Sequence, residues 1–462
     1  MNPYPDYDVP EVRTFADVLD AAVQRYGGQT AFVFDGQCKS YRDFERDVLS
    51  LAGSIQAGRY YLLAAQHPYR FAVSFFAVEI MGGIAALHDA GRETLESPYA
   101  PLEFAGQWTD EAVQAALESA EITPRPRPEV NPDALAVLAC SSGTTAMPKA
   151  IMLSQANLCW DAWGGMRKYR YAPGARYVHV IPYHHLFGVV ADLTGPLLSG
   201  GTLCFPKDKL YFFQALAQYQ PHCLNLPPAL AQGLLELMER GTLPREATQN
   251  LQKIMCAGAR LEKKTIEGLR RYGIAAYAAY GLTECAPCVS INRDEYFEDE
   301  SAGVLLPGVE VRISEEGEIQ VRGRTVMLGY LNDPEGTAEA LQDGWLRTGD
   351  LGRMDARGFL YITGRLKNLL VFSDGTKCVP EPLEKQLNAL PGVAESLVYR
   401  EVEAGREALA ARIALEPQAD PAVIREAAAH IRAGQMHRRL EILHFQTEGL
   451  QKGEGLGKLK RT

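Results

Sequence analysis

The chain lacks any run of about 18 consecutive apolar residues, the length that a membrane-spanning helix needs. Its opening, MNPYPDYDVPEVRTF, shows no basic segment followed by an apolar one, so a secretory leader is not expected. It also lacks a surplus of basic residues: 47 Lys and Arg stand against 57 Asp and Glu, a net charge of -10. That balance argues against non-specific nucleic-acid or anionic-membrane binding, because basic surface drives both. Nine cysteines, an odd number, are scattered from Cys38 to Cys378, which is poor material for a disulfide framework. A reducing, cytoplasmic setting follows as the expectation. No internal repeat and no low-complexity tract interrupts the chain.

What remains is the composition of an ordinary soluble enzyme, 47% hydrophobic and 23% charged over 462 residues. That length exceeds what one core supports, so two or more domains are expected. From about 134 to 290, short apolar runs alternate with helix-length amphipathic segments. ALAVLAC, KAIMLS, RYVHVIP, GTLCFP, HCLNLPP and QKIMCAG read as strands. A helix starting after an N-capping Ser154, then FGVVADLTGPLLS, PALAQGLLELMER and EKKTIEGLRRYG, read as helices among them. Alternation of this kind implies α/β layers. After about 300, VEVRISEEGEIQVRG and GRMDARGFLYITGR read as hairpins with glycine-containing turns. A small α+β tail follows from about 367. TPRPRPEVNPD, 123 to 133, reads as an extended connector.

The stretch CSSGTTAMPKA, residues 140 to 150, concentrates hydroxyls, a glycine and a lysine between apolar flanks. A Walker loop would be Gly-x4-Gly-Lys-[Ser/Thr] running into a helix. Here the order differs, and a strand is expected after Lys149. Hydroxyl donors with one added cation suit a polyanion; by composition alone, clusters of Ser, Thr and Gly are usually plain surface loops.

Read as an order, SSGTTAMPKAIMLSQANL resembles the phosphate loop of the adenylate-forming superfamily, which comprises acyl-CoA synthetases, luciferases and peptide-synthetase adenylation domains. That resemblance implies ATP contacts from Ser141, Ser142, Gly143, Thr144, Thr145 and Lys149. Ala146 and Ala150 stand where the family has glycines. An alanine held in a left-handed conformation there would cost roughly 1–2 kcal/mol. AAYGLTECAP is similar to the family's Tyr-Gly-x-Thr-Glu segment, implying Ala278, Ala279, Tyr280 and Gly281 at the nucleotide and Thr283 at the α-phosphate. It also implies Glu284, with Thr144, as the holder of Mg2+. CAGARL resembles the segment against which adenine and the acid pack, making Gly258, Ala259 and Arg260 candidates. GWLRTGDLGRMDARGFLYITGRLKNLL is the longest match. It implies Asp350 and Arg365 as ribose contacts, chemically a double acceptor and a fork of donors, and Lys367 as an interdomain hinge. GEGLGKLKR resembles the C-terminal Gly-Lys-Ile-x-Arg signature and implies Lys458 as the catalytic lysine. The stretch ahead of the phosphate loop is shorter than the family's usual one.

The fold implied is a large N-terminal α/β domain over 1–366, with layered sheets, helices and a β-rich subdomain, and a small, mobile α+β C-terminal domain over 367–462. For the acid, IPYHHLFGVV resembles the Pro-x-x-His-x-x-Gly segment of fatty-acyl and aryl-acid enzymes. The aspartate that amino-acid-activating domains place there has no counterpart. The implied acid pocket is His184, His185, Phe187, Gly188, Gly258 and Cys285, with His185 also counted among the catalytic residues. The adjacent histidines are otherwise a structural pair; no ligand-spaced partner supports a metal. CAPC, without a second pair, reads as two small pocket-wall cysteines rather than a zinc or redox motif. The ending PEPLE, 380 to 384, resembles long-chain fatty acyl-CoA synthetases. The activity implied is adenylation of an uncharged acyl or aryl acid by ATP, then thioester formation on CoA. Transfer to a carrier-protein pantetheine, an aryl-acid ligase and a catalytically silent nucleotide-binding relative stand as alternatives.

Overall fold

The computed structural model describes residues 9, 11–89, 98–99, 101–119, 126–140, 148–169, 172–207, 212–293, 297–374, 376–403, 406–429, 431, 440–446 and 450. Two compact units divide the chain. The first takes Met1–Val311, Val321–Leu346 and Ala356–Leu360; the second takes Arg312–Gln320, Arg347–Asp355 and Tyr361–Thr462.

The first unit holds two sheets. In the larger, strands Ala275–Gly281, Lys253–Cys256, Cys223–Leu226, Arg176–Val178, Thr202–Phe205 and Thr30–Phe34 lie side by side in that order, each parallel to its neighbour. Antiparallel strands at Cys288–Ile291, Val304–Leu305 and Gln37–Ser40 extend its two edges. The parallel members are short apolar runs because both faces are covered. Leu224, Leu226, Ile254 and Cys256 pack at 0–1% exposure against Ala231, Leu234, Ile266 and Leu269 of the flanking helices Pro228–Glu239 and Lys263–Arg271.

The second sheet runs Gly329–Tyr330, Ala150–Ser154, Leu135–Cys140, Ile84–Leu87, Tyr60–Leu63, Phe104–Trp108. Its last four strands are parallel and its first two antiparallel. The strand expected after Lys149 is therefore present, and Ala150 opens it opposite Cys140 with no left-handed backbone, so alanine there carries no strain. Ser154 caps the following helix, Gln155–Lys168. Its hydroxyl accepts the Asn157 N–H at 3.1 Å, and the Asn157 side chain accepts the Ser154 N–H at 2.8 Å. Reciprocal satisfaction of two orphan donors is what starts a helix here. The remaining Asn157 amide donates to the carbonyls of Arg324, at 2.6 Å, and Val326, at 3.1 Å. This pins residues 324–326 and delivers Tyr330 to the sheet edge, where it pairs with Ile151.

One expected helix is broken. FGVVADLTGPLLS becomes two short α segments, Leu186–Val189 and Gly195–Ser199, around a π turn at Val190–Thr194. Pro196 has no N–H to continue the α ladder. Thr194 donates its hydroxyl to the Val189 carbonyl at 2.7 Å, and the wider turn carries Asp192 inward to a fully buried position.

The two expected hairpins supply strands at Val309–Ile313, Glu318–Gly323, Trp345–Met354 and Leu360–Arg365. Within the second unit the first turn closes through the Gly317 N–H on the Ser314 carbonyl at 2.9 Å, with Gly317 at φ +85°. The tail contains Val393–Glu403 antiparallel to Arg406–Leu415. A third strand, Leu440–Gln446, lies parallel to the latter and has no clear pattern in the sequence. Helices Glu381–Asn388 and Pro421–Ala428 bury Leu383, Leu387 and Ile424 with Val398, Leu409 and Ile413, so this unit has its own core.

Candidate active site

In open α/β sheets, ligands gather beyond the carboxyl ends of the parallel strands. Several candidate residues leave those ends: Gly258, Ala259 and Arg260 after Lys253–Cys256, and Thr283 and Glu284 after Ala275–Gly281. His184 and His185 lie further along the segment that follows Arg176–Val178. Gly258 takes φ +85° and is exposed with Ala259 and Arg260. Ala278, Ala279 and Tyr280 are half-buried strand residues, the last two opposite Ile291 and Ser290. At Gly281 the requirement is close approach, since a Cβ would overlap the Pro287 carbonyl. The far end of this turn is anchored where the Cys288 N–H donates to the buried Asp161 at 2.6 Å. Cys285 is fully buried, and all nine cysteines are free thiols.

Lys149 and Glu284, far apart in sequence, meet on one tyrosine. The Tyr330 hydroxyl donates to Glu284 Oε1 at 3.0 Å, and the Lys149 ammonium lies over the Tyr330 ring, 4.4 Å from its centroid. Burial, and then the Glu284 charge, raise the Tyr330 pKa, so the hydroxyl stays a donor. Lys149 Nζ also pairs with Asp333 Oδ2 at 2.8 Å, and this hydrogen bond holds the Asp333 carboxyl below its usual range. The Met327 N–H donates to the Glu284 carbonyl at 2.9 Å, tying the same segment to the Thr-Glu turn a second time. Tyr330 and Asp333 were not among the residues expected from sequence. The legible trace was Asp333-Pro334, a capping residue followed by proline at the first position of helix Pro334–Ala340.

On the acid side, His184 is half-buried and His185 exposed, their rings 4.3 Å apart. His185 precedes the short helix Leu186–Val189, and Gly188 packs so closely that a Cβ would meet the carbonyls of Ile181 and Pro182 at 2.7 Å. Phe187 is half-buried. The neighbouring residues form a polar network that the motif did not reveal. Asp192 takes His179 Nδ1 at 2.8 Å, the Val180 N–H at 3.3 Å and the Asn225 amide at 3.3 Å.

In the second unit Arg365 Nε reaches Asp350 Oδ1 at 3.2 Å. Asp350 is nearly buried, and its turn is fixed by Glu318, which accepts the Gly349 N–H at 3.0 Å and Arg347 Nε at 3.0 Å. Lys367 is exposed in the short helix Leu366–Asn368. Ser141, Ser142, Gly143, Thr144, Thr145, Ala146 and Lys458 lie outside the described residues.

The family described as "AMP-binding enzyme" matches residues 86–331, more than half of the chain and the part that carries Lys149, Glu284 and Tyr330. The chain belongs to the AMP-binding enzyme family. It is similar to a 3-[(3aS,4S,7aS)-7a-methyl-1,5-dioxo-octahydro-1H-inden-4-yl]propanoyl:CoA ligase of Rhodococcus jostii, 32% identical over 58% of this chain and 53% of that protein. Sulfoacetate–CoA ligase of Cupriavidus necator is 31% identical over 61% and 57%. A human long-chain-fatty-acid–CoA ligase is 28% identical over 64% and 48%. The chain thus spans about half the length of the curated relatives it matches. Among solved structures, O-succinylbenzoate CoA synthetase of Bacillus subtilis with AMP superposes at TM-score 0.80, 21% identical, over 96% of each chain. The anthranilate CoA ligase AuaEII with anthranoyl-AMP superposes at 0.82, 19% identical, over 98% of this chain and 96% of that one. These likenesses establish the expected fold class.

For an AMP-binding enzyme the donor set fits magnesium nucleotide. Glu284 offers a hard carboxylate oxygen next in the chain to Thr283, and no cluster of three ligating side chains is found among the described residues. Mg2+ is commonly held in this way, by one or two carboxylates with substrate phosphates and water, rather than by an all-protein cage.

Proposed function

We propose that the chain is an ATP-dependent acid–thiol ligase that joins a fatty acid of medium or long chain to CoA through an acyl-adenylate. The observation that carries this reading is the meeting of Lys149 and Glu284 on Tyr330, at the end of the strands, in a chain of the AMP-binding family. A cation for the leaving phosphates and a carboxylate for their metal are what departure of pyrophosphate needs. Bound there, Mg2+ would neutralise phosphate charge as a Lewis acid. In the first half-reaction the acid's carboxylate attacks the α-phosphorus of ATP and pyrophosphate leaves. Thr283 would donate to an α-phosphate oxygen, and Lys458 would offset charge as it builds between carboxylate and phosphate. Asp350 and Arg365 would hold the ribose, with Gly258 to Arg260 and Ala278 to Gly281 along the adenine and the acid's carboxyl end. In the second half-reaction a pantetheine thiol attacks the anhydride carbonyl and AMP leaves. The part from 367 would turn about Lys367 between the two steps as a lid carrying Lys458.

An uncharged tail is favoured because the segment bearing His184, His185 and Phe187 has no acidic side chain from 181 to 190 to pair an ammonium group. The relatives' names span a bicyclic propanoate, sulfoacetate and long-chain fatty acids, so CoA is the shared acceptor and the tail is what varies. No helix among the described residues is long and apolar enough to cross a membrane. With nine free thiols, a cytoplasmic site of action is the consistent one. The test is acid-dependent ATP–pyrophosphate exchange without CoA, over fatty, aryl, sulfonated and amino acids. Exchange with fatty acids, followed by CoA-dependent AMP release, is expected. Exchange confined to another acid class would replace the tail assignment. Silence with ATP still bound would replace the ligase by a nucleotide-binding relative.

A further inference from the structure

Asp333 has two carboxylate oxygens with two different partners. Oδ1 accepts the Gly336 N–H at 2.8 Å and caps helix Pro334–Ala340; Oδ2 pairs with Lys149 Nζ at 2.8 Å. The lysine is the one whose ammonium rests on Tyr330, and that tyrosine holds Glu284. The pair is accessible, with side-chain exposures of 42% for Lys149 and 36% for Asp333, so a soluble anion can reach it. Gly336 makes the arrangement possible. A Cβ there would overlap the Asp333 carboxylate and come within 2.5 Å of Lys149 Nζ, and its nearest neighbours are these two side chains. Tyr330 is itself fixed from the same helix, through its N–H on Thr337 Oγ1 at 2.9 Å.

We propose that Asp333 is an internal stand-in for phosphate, a positioning residue that holds Lys149 over Tyr330 when no nucleotide is present and competes with the nucleotide for it. The inference rests on the reading that Lys149 meets the phosphates of ATP. Binding of ATP exchanges the Asp333 carboxylate for phosphate oxygens on the lysine. Departure of pyrophosphate restores the original pair, so the loop lysine is never left without a counter-anion. The same contact that weakens ATP binding also weakens pyrophosphate binding, which favours product release.

Asp333→Asn separates the two roles of the side chain. Asparagine caps a helix as well as aspartate does, because its carbonyl oxygen accepts the same N–H, but it carries no charge for Lys149. Exposed ion pairs of this kind are weak, so the expected effect is ATP and pyrophosphate binding tighter by about threefold to fivefold. The rise in affinity should shrink as salt screens the pair. Gly336→Ala, which forces the two side chains apart from the helix side, should act in the same direction. In a Lys149→Ala background, Asp333→Asn should leave nucleotide affinity unchanged. The measurement is calorimetric titration of the full chain with Mg·ATP and with pyrophosphate, alongside KM and kcat in the exchange assay, where KM falls and kcat does not rise.

Unchanged or weaker binding by Asp333→Asn would overturn the stand-in. So would equal tightening with and without Lys149, which would mean that Asp333 repels phosphate directly. A wild-type chain that binds no ATP would overturn the proposed function together with this inference. ATP binding that depends on Lys149 but ignores Asp333 would overturn this inference alone.

Discussion

Glu79 lies in the middle of the buried helix Pro68–Ile80, 0% exposed, and neither carboxyl oxygen has a hydrogen-bond partner among the described residues. The Gln155 amide donates to the Glu79 main-chain carbonyl at 2.7 Å and accepts the Phe15 N–H at 3.0 Å, joining three helices. Burial raises the Glu79 pKa well above its ordinary 4.5, against a smaller lowering by Gln155. The folded chain therefore keeps a proton that the unfolded chain releases above about pH 4.5. Raising the pH through this window draws the equilibrium toward the unfolded state. Stability attributable to this group is fully present below pH 4.5 and declines by about 1.4 kcal/mol per pH unit until the folded group itself ionises. Glu79→Gln keeps the shape and cannot ionise, so the variant should lack that decline. Denaturant unfolding of both proteins at pH 5, 6 and 7, at constant ionic strength, reads the difference. The variant should gain on wild type as the pH rises from 5, by about 1.4 kcal/mol for each pH unit over which the folded carboxyl keeps its proton. Asp161, buried with its pKa likewise raised, adds its own slope to both proteins and cancels. Parallel stability curves for the two proteins would refute the reasoning and place a water or a cation at Glu79.

Three further outcomes are expected. Asp192→Ala should cost about 3–5 kcal/mol in the same unfolding assay, since it removes the buried partner of His179 and an acceptor of the Val180 N–H; Asp192→Asn, which keeps an acceptor, should cost less. Gly281→Ala drives a Cβ into the Pro287 carbonyl and should abolish acid-dependent exchange, with amide hydrogen exchange around 281–288 rising while the rest of the chain stays protected. Lys458→Ala should abolish exchange while ATP titration is unchanged; exchange at the wild-type rate would remove Lys458 from the proposed chemistry.

Local signals wrote much of this molecule. ALAVLAC and KAIMLS became strands because apolar runs bounded by polar loops have only a covered sheet to enter. Ser154 and Asn157 began a helix because two orphan donors are satisfied within four residues. The Thr-Glu turn after a strand was equally local, and its glycine follows from the approach of Pro287. The π turn was not legible. Whether Pro196 kinks or ends a helix depends on what accepts the freed groups, and here Asp192 gains a buried histidine thirteen residues back in the chain. Strand Leu440–Gln446 was missed because its half-covered face gives a weak alternation.

The sequence by itself determined the family, the parallel strand order's raw material and the identity of Lys149 and Glu284 as a cation and a carboxylate set apart from bulk surface charge. Only the tertiary structure decided that they share Tyr330 and that Asp333 answers Lys149. Those contacts cross 46 residues between Glu284 and Tyr330 and depend on Asn157, which reaches 167 residues along the chain to the Arg324 carbonyl and so places a two-residue strand at the sheet edge. A hydrogen bond of that span has no periodicity to announce it. It exists because the backbone of residues 324 to 326, once brought against the capped helix, needs a donor and finds that amide.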